Sequence, residues 1–535
     1  MAQLGAVRMA FETAFGSWPD GAGPVVLGKM RLLCAAALAG LVSACAYVPF
    51  DAPREVTRAL STEQSTFLHP VVASELGPNP TRSGYFELSS GTDALGARLR
   101  MIEQARHSLD IATFLIKPDT ASKLIMNRIF DAADRGVRVR FLFDDVFTTV
   151  PDEDLAALDA HRNIEMRVFN PTSRNAPKQM GFLWDFKRVN RRMHIKSFVM
   201  DGSIAIMGGR NYADEYYELK PTQAFADYDV LIFGPEAREL DLAFDTYWND
   251  QLSVPLANFD VVAKNGKTIT DDPTWRYDIS DAEIDAYRQA ISTPYLAEID
   301  NGTRAPFWGT SELVFDTPEK LRNPDGQGPH ILGEHLFAEM RRSTDQVTLI
   351  TPYFVPENYG ARFFQDLRAQ GIKVRIITNS LASNNHAYVH GGYTRHRKAL
   401  LETGVELYEL REDALNALGD IPADQDLPIT LHTKMAIFDQ DRVFVGSLNL
   451  DPRSVKTNSE IGLFIQSPAY ATALLKRLET SLTNYAYQVT LDDNGEFVWT
   501  WSGGPEEVAY KEPGATGWQH FLAVLPQVFG LEGLL

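Results

Sequence analysis

The segment HIKSFVMDGSIAIMGGRN (194–211) returns nearly half a chain later as HTKMAIFDQDRVFVGSLN (432–449). His, Lys and Asp recur at one spacing (194, 196, 201; 432, 434, 439), and a Gly (208, 446) and an Asn (211, 449) follow at matching intervals. The repeat extends beyond this stretch. ALGARLRMIEQARHSLDIATFLI (94–116) is answered by GEHLFAEMRRSTDQVTLITPYFV (333–355), and IFDAADRGVRVRFLFDD (129–145) by FFQDLRAQGIKVRIITN (363–379). A third pair is DLAALDAHRNIEMRVFNP (154–171) and HRKALLETGVELYELR (396–411). Each member reads as an amphipathic helix, a stop signal and an apolar β-branched strand. A chain that says this twice is constrained to two pseudo-symmetric α/β halves, each a mixed, mostly parallel sheet flanked by helices.

Within each motif, the apolar residues between Lys and Asp form a strand, the Asp turn reverses it, and a second strand leads to Gly-x-x-Asn. His and Lys, two residues apart on a strand, point to one face. Bringing the halves together about a pseudo-twofold axis places two His, two Lys and two Asn in one cleft. Ammonium and amide donors in such a cleft suit an anionic tetrahedral group. Two histidines suit in-line displacement: one attacks phosphorus to give a phosphohistidine, and the other protonates the leaving oxygen and later activates the acceptor. The lysines supply the positive charge, so no metal and no other cofactor is expected.

The double His-x-Lys-x4-Asp arrangement resembles that of the phospholipase D superfamily. The wider run, over roughly residues 64 to 530, resembles its bacterial cardiolipin synthase C-like branch, in LWDFKRVNRRMHIKS, GGRNYADEYY, TPYFVPE and HGGYTRHRKALLETGVELYELR. The resemblance implies that each His is held by a carboxylate further along its half: Asp227 (with Asp229 the alternative) in the first and Glu460 in the second. It implies His194 as nucleophile, His432 as general acid and base, and Lys196, Lys434, Asn211 and Asn449 around the phosphoryl oxygens. Ser447 is expected to help there, with Gly209 in its place in the first half. Asp201 and Asp439 complete the catalytic motifs, with fixing the hairpin turn as their expected duty. Ile195 departs from the polar residue expected between His and Lys, which implies altered packing. The activity implied is transfer of a phosphatidyl group, making cardiolipin from phosphatidylglycerol and a second phospholipid such as phosphatidylethanolamine. The alternatives are hydrolysis to phosphatidic acid, a metal-independent nuclease of the same superfamily, and an inactive envelope scaffold.

Charge separates these readings. Seventy Asp and Glu against 51 Lys and Arg leave a net charge of −19, the opposite of a nucleic-acid footprint, so no nucleic-acid partner is expected. The two cysteines, Cys34 and Cys45, lie near the N-terminus and leave no disulfide framework in the body. Lys29, Met30 and Arg31 precede LLCAAALAGLVSA and Cys45, the layout of a signal peptide. VSAC (42–45) resembles a bacterial lipobox, with Cys45 as the lipid anchor, Met30 a plausible start, and Ala46 favouring the outer membrane. The expected organisation is an N-terminal extension and signal (1–45), a first domain (46–258), a connecting segment (259–305) and a second domain (306–535). The protein is expected in the bacterial envelope, facing the periplasm on a membrane surface.

Smaller features stay open. The basic run KRVNRR (187–192) reads as a headgroup patch or a carboxylate-paired segment. NNHAYVHGGYTRHRK, with His386, His390 and His396, reads as a substrate loop with Tyr388 and Tyr393 lining the cleft, in preference to a zinc site. The C-terminal HFLAVLPQVFGLEGLL reads as a packed helix or a membrane contact.

Overall fold

The computed structural model describes residues 47–60, 81–259, 276–323, 328–422 and 425–529. The signal and lipobox readings (1–45, Cys45) fall outside them. In the first half, strands β1 (Ser83–Leu88), β2 (Ser108–Thr113), β3 (Arg138–Asp144) and β4 (Ile164–Phe169) alternate with helices Gly91–Gln104, Thr120–Asp134 and Asp152–Asp159. The hairpin β5 (Ser197–Met200) and β6 (Ile204–Gly208) follows, then β7 (Ala224–Ala226), β8 (Asp229–Phe233), helix Pro235–Trp248 and β9 (Ser253–Pro255).

The second half repeats the scheme. Strands β10 (Phe307–Phe315), β11 (Gln346–Ile350), β12 (Lys373–Asn379) and β13 (Glu406–Leu410) alternate with helices Ile331–Arg342, Glu357–Ala369 and Ala387–Glu402. Then come β14 (Ile429–Leu431), the hairpin β15 (Met435–Phe438) and β16 (Arg442–Gly446), β17 (Ile461–Gln466), helix Pro468–Tyr485 and β18 (Ala486–Leu491). Strands β19 (Phe497–Trp501) and β20 (Glu507–Ala509) and helix Gly517–Phe529 are additions without a counterpart among the described residues of the first half.

The spatial order in the first half is β9-β4-β3-β2-β5-β6-β8-β1, and in the second β18-β13-β12-β11-β15-β16-β17-β10. Antiparallel pairing of β1 with β10 joins the two into one 18-stranded sheet. The α/β repeat thus has the expected form, and the proportion of parallel pairing is the detail that differs. Only β2-β3-β4 and β11-β12-β13 run parallel; the other main-sheet pairs are antiparallel. The reason is connection length. Crossover helices link the first strands of each half, whereas the His-bearing strands return through tight hairpins that allow only antiparallel pairing.

One apolar core is common to both halves. It takes Val199, Ala205 and Val230 from the first, Ile437, Val445 and Leu463 from the second, and covering side chains such as Trp248 and Tyr470 from the helices Pro235–Trp248 and Pro468–Tyr485. Helices Asp281–Ile291 and Pro294–Asp300 of the connecting segment dock on the first half, where a Cβ on Gly96 would come within 2.0 Å of the Ala290 carbonyl oxygen.

The hairpin turns show why the motif ends in Asp. Asp201 and Asp439 adopt φ of 51° and 52°, a left-handed conformation that Asp tolerates better than most residues. The Asp201 carboxylate accepts from the backbone N–H groups of Arg106, His107 and Ser108 (3.0, 2.8 and 2.8 Å). Asp439 does the same for Thr344, Asp345 and Gln346. Each stands at the far end of its strand from the His and Lys, and braces the entry to β2 or β11. Both are therefore removed from the catalytic set. Asp201→Ala is expected to cost about 2–4 kcal/mol, from orphaned N–H groups and left-handed Ala. Asp201→Asn should cost less, since Asn keeps one acceptor and tolerates the turn. Denaturant unfolding of both variants measures this, with turnover per folded molecule unchanged.

Candidate active site

The two histidine strands start where the halves meet. The His194 N–H donates to the Ser459 carbonyl (2.9 Å) and the His432 N–H to the Ala226 carbonyl (2.9 Å). Parallel pairing of β14 with β7 and a bridge between Met193 and Ser459 extend these contacts. Each His backbone is thereby seated beside the residue preceding a carboxylate of the opposite half. The side chains follow: His194 Nδ1 lies 2.9 Å from Glu460 Oε2, and His432 Nδ1 lies 2.6 Å from Asp227 Oδ2. Both expected carboxylates thus hold histidines, but crossed between halves instead of within them. Asp229, the alternative, is bound to Arg98 at 2.8 Å and takes no part.

Lys196 and Lys434 follow two residues after the histidines, just ahead of β5 and β15, and each turns back on the backbone of its own histidine. Lys196 Nζ donates to the His194 carbonyl at 2.9 Å. Lys434 Nζ donates to the His432 carbonyl and sits 2.9 Å from His432 Nδ1. Asn211 donates to the Tyr216 hydroxyl (2.9 Å) and Asn449 to the Ser454 hydroxyl (3.3 Å), and each leaves its amide oxygen buried and unpartnered. Either hydroxyl can donate to the amide oxygen instead, which turns the NH2 group out to a phosphoryl oxygen.

Ser447 is not placed for phosphate. Its hydroxyl donates to Glu460 and its oxygen accepts the Ile461 N–H at 3.0 Å. Gly209, its counterpart, is required by packing: a Cβ there would stand 2.1 Å from Asp227 Oδ1. The longer Glu460 leaves room for a serine where the shorter Asp227 does not. Ile195 is buried in the shared core, whereas Thr433 at the matching position donates to the Ala226 carbonyl (3.0 Å). The departure at Ile195 is thus a packing change, as expected.

Aromatic rings that sequence reasoning missed wall the site. Phe114 meets His194 edge-on at 4.7 Å and lies 5.0 Å from Lys196 Nζ. Phe225 stacks on His432 at 5.3 Å, and Tyr216 meets it edge-on at 5.1 Å. The repeat carried a signal for one of them, because Phe114 aligns with Tyr353 in the second half. Arg453 was also missed; it bridges to Asn190 of the first half (2.7 Å) beside the cleft. Tyr393 does not line the cleft, being buried and donating to Glu409 at 3.0 Å. In the basic run, Arg188 binds Asp185 (2.6 Å) and Arg192 binds Asp144 (3.1 Å), so these two are carboxylate-paired. Among the described residues no cluster of His, Cys, Asp or Glu could hold a metal ion.

The site is nearly closed to solvent, and burial dominates its titration. His194 is held well below its usual value by burial, reinforced by the charges of Lys196, Lys434 and Arg453. Burial and Lys434 bring His432 to about 3, against the pull of Asp227. Burial lowers Lys196 to about 7 and Lys434 to about 8, though the carboxylates oppose it. The two carboxylates diverge. Burial raises Glu460 to about 7, whereas at Asp227 His432 and Lys434 outweigh burial and hold it at about 2.

The family description "Cardiolipin synthase, PLD-like domain" matches residues 99–248 and 336–482, one span on each half. Cardiolipin synthase C of Escherichia coli (strain K12) is 35% identical over 480 residues, covering 87% of this chain and 100% of that protein. Cardiolipin synthase of Geobacillus kaustophilus is 23% identical, covering 76% of this chain and 66% of its own length. The crystal structure of phosphatidylserine synthase from Haemophilus influenzae Rd KW20 superposes with a TM-score of 0.54 at 14% identity, over 89% of this chain and 97% of that one, a likeness of fold. The chain belongs to the phospholipase D superfamily, within its cardiolipin synthase-like branch of phosphatidyltransferases and phosphodiesterases.

Proposed function

We propose that the protein transfers the phosphatidyl group of a glycerophospholipid through a phosphohistidine, with phosphatidylglycerol as acceptor and cardiolipin as product. The observation that carries the reading is the crossed pair of His–carboxylate contacts with a lysine beside each. His194 Nε2 attacks phosphorus as the P–O bond to the leaving alcohol breaks, and His432 Nε2 gives that alcohol its proton. His432 then takes the proton of the incoming hydroxyl, whose oxygen displaces His194 and regenerates the ring.

The two carboxylates support this order. With Asp227 alone His432 stays at about 3, so the phosphodiester anion, added to the ionised Asp227, must raise it and stabilise the imidazolium that it becomes to act as an acid. Glu460, with its higher pKa, takes a larger share of the His194 Nδ1 proton, which leaves more electron density on Nε2 for attack. An arriving phosphodiester anion draws Lys196 and Lys434 off the histidine carbonyls and restores their charge, because a nearby negative group raises an ammonium pKa.

Cys45 is assigned as a lipid anchor that tethers the enzyme to the periplasmic face of the envelope, the outer membrane being favoured. Palmitate labelling that Cys45→Ser abolishes is its check. No helix among the described residues is long and apolar enough to cross a membrane.

The reading is tested with labelled phosphatidylglycerol, with and without phosphatidylethanolamine, in EDTA. Cardiolipin is expected; phosphatidic acid alone identifies a hydrolase, and cleavage of DNA without lipid turnover overturns the reading. The histidine roles are read with a phosphatidyl ester of p-nitrophenol, a leaving group that needs no acid. His432→Ala should release about one equivalent of nitrophenolate in a burst and then stall, while His194→Ala should release none; the reverse pattern exchanges the roles. In the wild type the burst rate should climb with pH through about 7, as Glu460 loses its proton and becomes the acceptor for His194 Nδ1–H. Glu460→Gln should lose that limb.

A further inference from the structure

The catalytic cleft opens at the carboxyl ends of the parallel strands, because β5 and β15 begin where their antiparallel partners β2 and β11 end. Exposed apolar side chains gather on that edge from both halves. Phe147 touches Phe114 (5.2 Å), which touches His194, so a short aromatic ladder runs from the histidine to the surface. Leu183 and Phe186 are 79% and 49% exposed. They lie in the short helical segments before His194, which are tied by Arg188 to Asn170 at the end of β4.

In the second half, Tyr388 is 43% exposed and packs near His386, which in turn packs against Tyr353. Behind Tyr388, the helix Gly517–Phe529 is seated so closely that a Cβ on Gly391 would come within 1.9 Å of the Ala523 carbonyl oxygen. Gln519 ties this helix to the carbonyls of Leu381 and Ala382, just past Asn379. Asn379 in turn binds the Leu431 carbonyl, one residue before His432. Trp518 and Phe521 project from this helix, 66% and 52% exposed, and the helix carries no Asp, Glu, Lys or Arg in a chain of net charge −19.

We infer that this edge is a membrane-docking face on which the enzyme sits with its cleft against a phospholipid bilayer, Leu183 and Phe186 entering on one side of the opening and Trp518 and Phe521 on the other. The inference rests on the proposed phospholipid substrate and says how it arrives. A bilayer needs only an uncharged, apolar surface with aromatic rings at headgroup depth. The placement astride the opening selects this occupant. A protein covering both patches would close the cleft, whereas a bilayer touching both feeds its own lipid into it. The additional helix Gly517–Phe529 thereby gains a function that the duplicated core does not need.

The test uses the full chain with Cys45→Ser, so that no anchor contributes, and vesicles of phosphatidylglycerol and phosphatidylethanolamine in a flotation assay. The pairs Trp518→Ser with Phe521→Ser, and Leu183→Ser with Phe186→Ser, should each weaken vesicle binding by about tenfold or more, given the apolar area withdrawn. Turnover of a short-chain phospholipid below its micelle concentration should stay within about twofold, which also shows that the variants fold. Unchanged vesicle binding overturns the inference. So does a wild-type dimer in sedimentation that these substitutions dissolve without altering vesicle binding, which assigns the face to a second copy. Binding is read without catalysis, so a protein that docks but turns over no phospholipid overturns the proposed function and leaves the docking face standing.

Discussion

Each motif histidine takes its backbone acceptor and its carboxylate from the other half of the chain. His194 is fixed by Ser459 and Glu460, and His432 by Ala226 and Asp227. A half on its own would hold a histidine without an orienting group and a carboxylate buried without a partner, a costly state at both ends. The shared apolar core and the β1–β10 junction keep the halves in register, and the chemistry depends on that register. Duplication here is more than a doubling of copies. Neither copy can assemble an oriented imidazole until the other is folded against it.

The pseudo-symmetry is broken at the carboxylates, and the break runs through neighbouring residues. A short Asp227 pressed on Gly209 keeps its charge against His432 and Lys434. A longer Glu460 reaches past a serine that donates to it, and burial pushes its proton affinity up. One substitution of Gly by Ser and one of Asp by Glu thus belong to a single packing solution in each half. The result is two histidines with different partners, which a reaction needing a nucleophile and an acid can use. Exchanging only one member of either pair would either clash at the glycine or leave a hydroxyl without its acceptor.

Much of this was legible in the sequence because the repeat sampled the same physics twice. The helix–strand alternation, the His and Lys on one face and the Asn after the Gly turn follow from local periodicity and the repeat, and the identity of both carboxylates from the resemblance to the phospholipase D superfamily. The crossing of the carboxylates did not, because spacing along a chain says nothing about which half a side chain faces. Ser447 was misplaced for a related reason: a hydroxyl near a phosphate site reads as a donor to phosphate until the buried Glu460 is seen to claim it. Tyr393 was drawn into the cleft by its neighbourhood with Tyr388, yet five residues along a helix turn a side chain well away, and it faces Glu409 instead. Phe225 could be placed only once β7 was seen to pair with β14.

The lysines show how the site balances burial against charge. Each is buried enough to lower its pKa towards neutrality, and each donates to the carbonyl of its own motif histidine. A site with two permanently charged lysines side by side would repel itself and bind phosphate in its ground state too tightly to turn over. On the proposed reading, lysines that regain full charge as a phosphodiester enters couple that charge to the substrate. The stabilisation then grows as negative charge develops on the phosphoryl oxygens, where it lowers the barrier and not merely the energy of the bound lipid. The proposed bilayer contact around the rim would serve the same end, because excluding water from the cleft keeps such interactions strong when a lipid phosphate arrives.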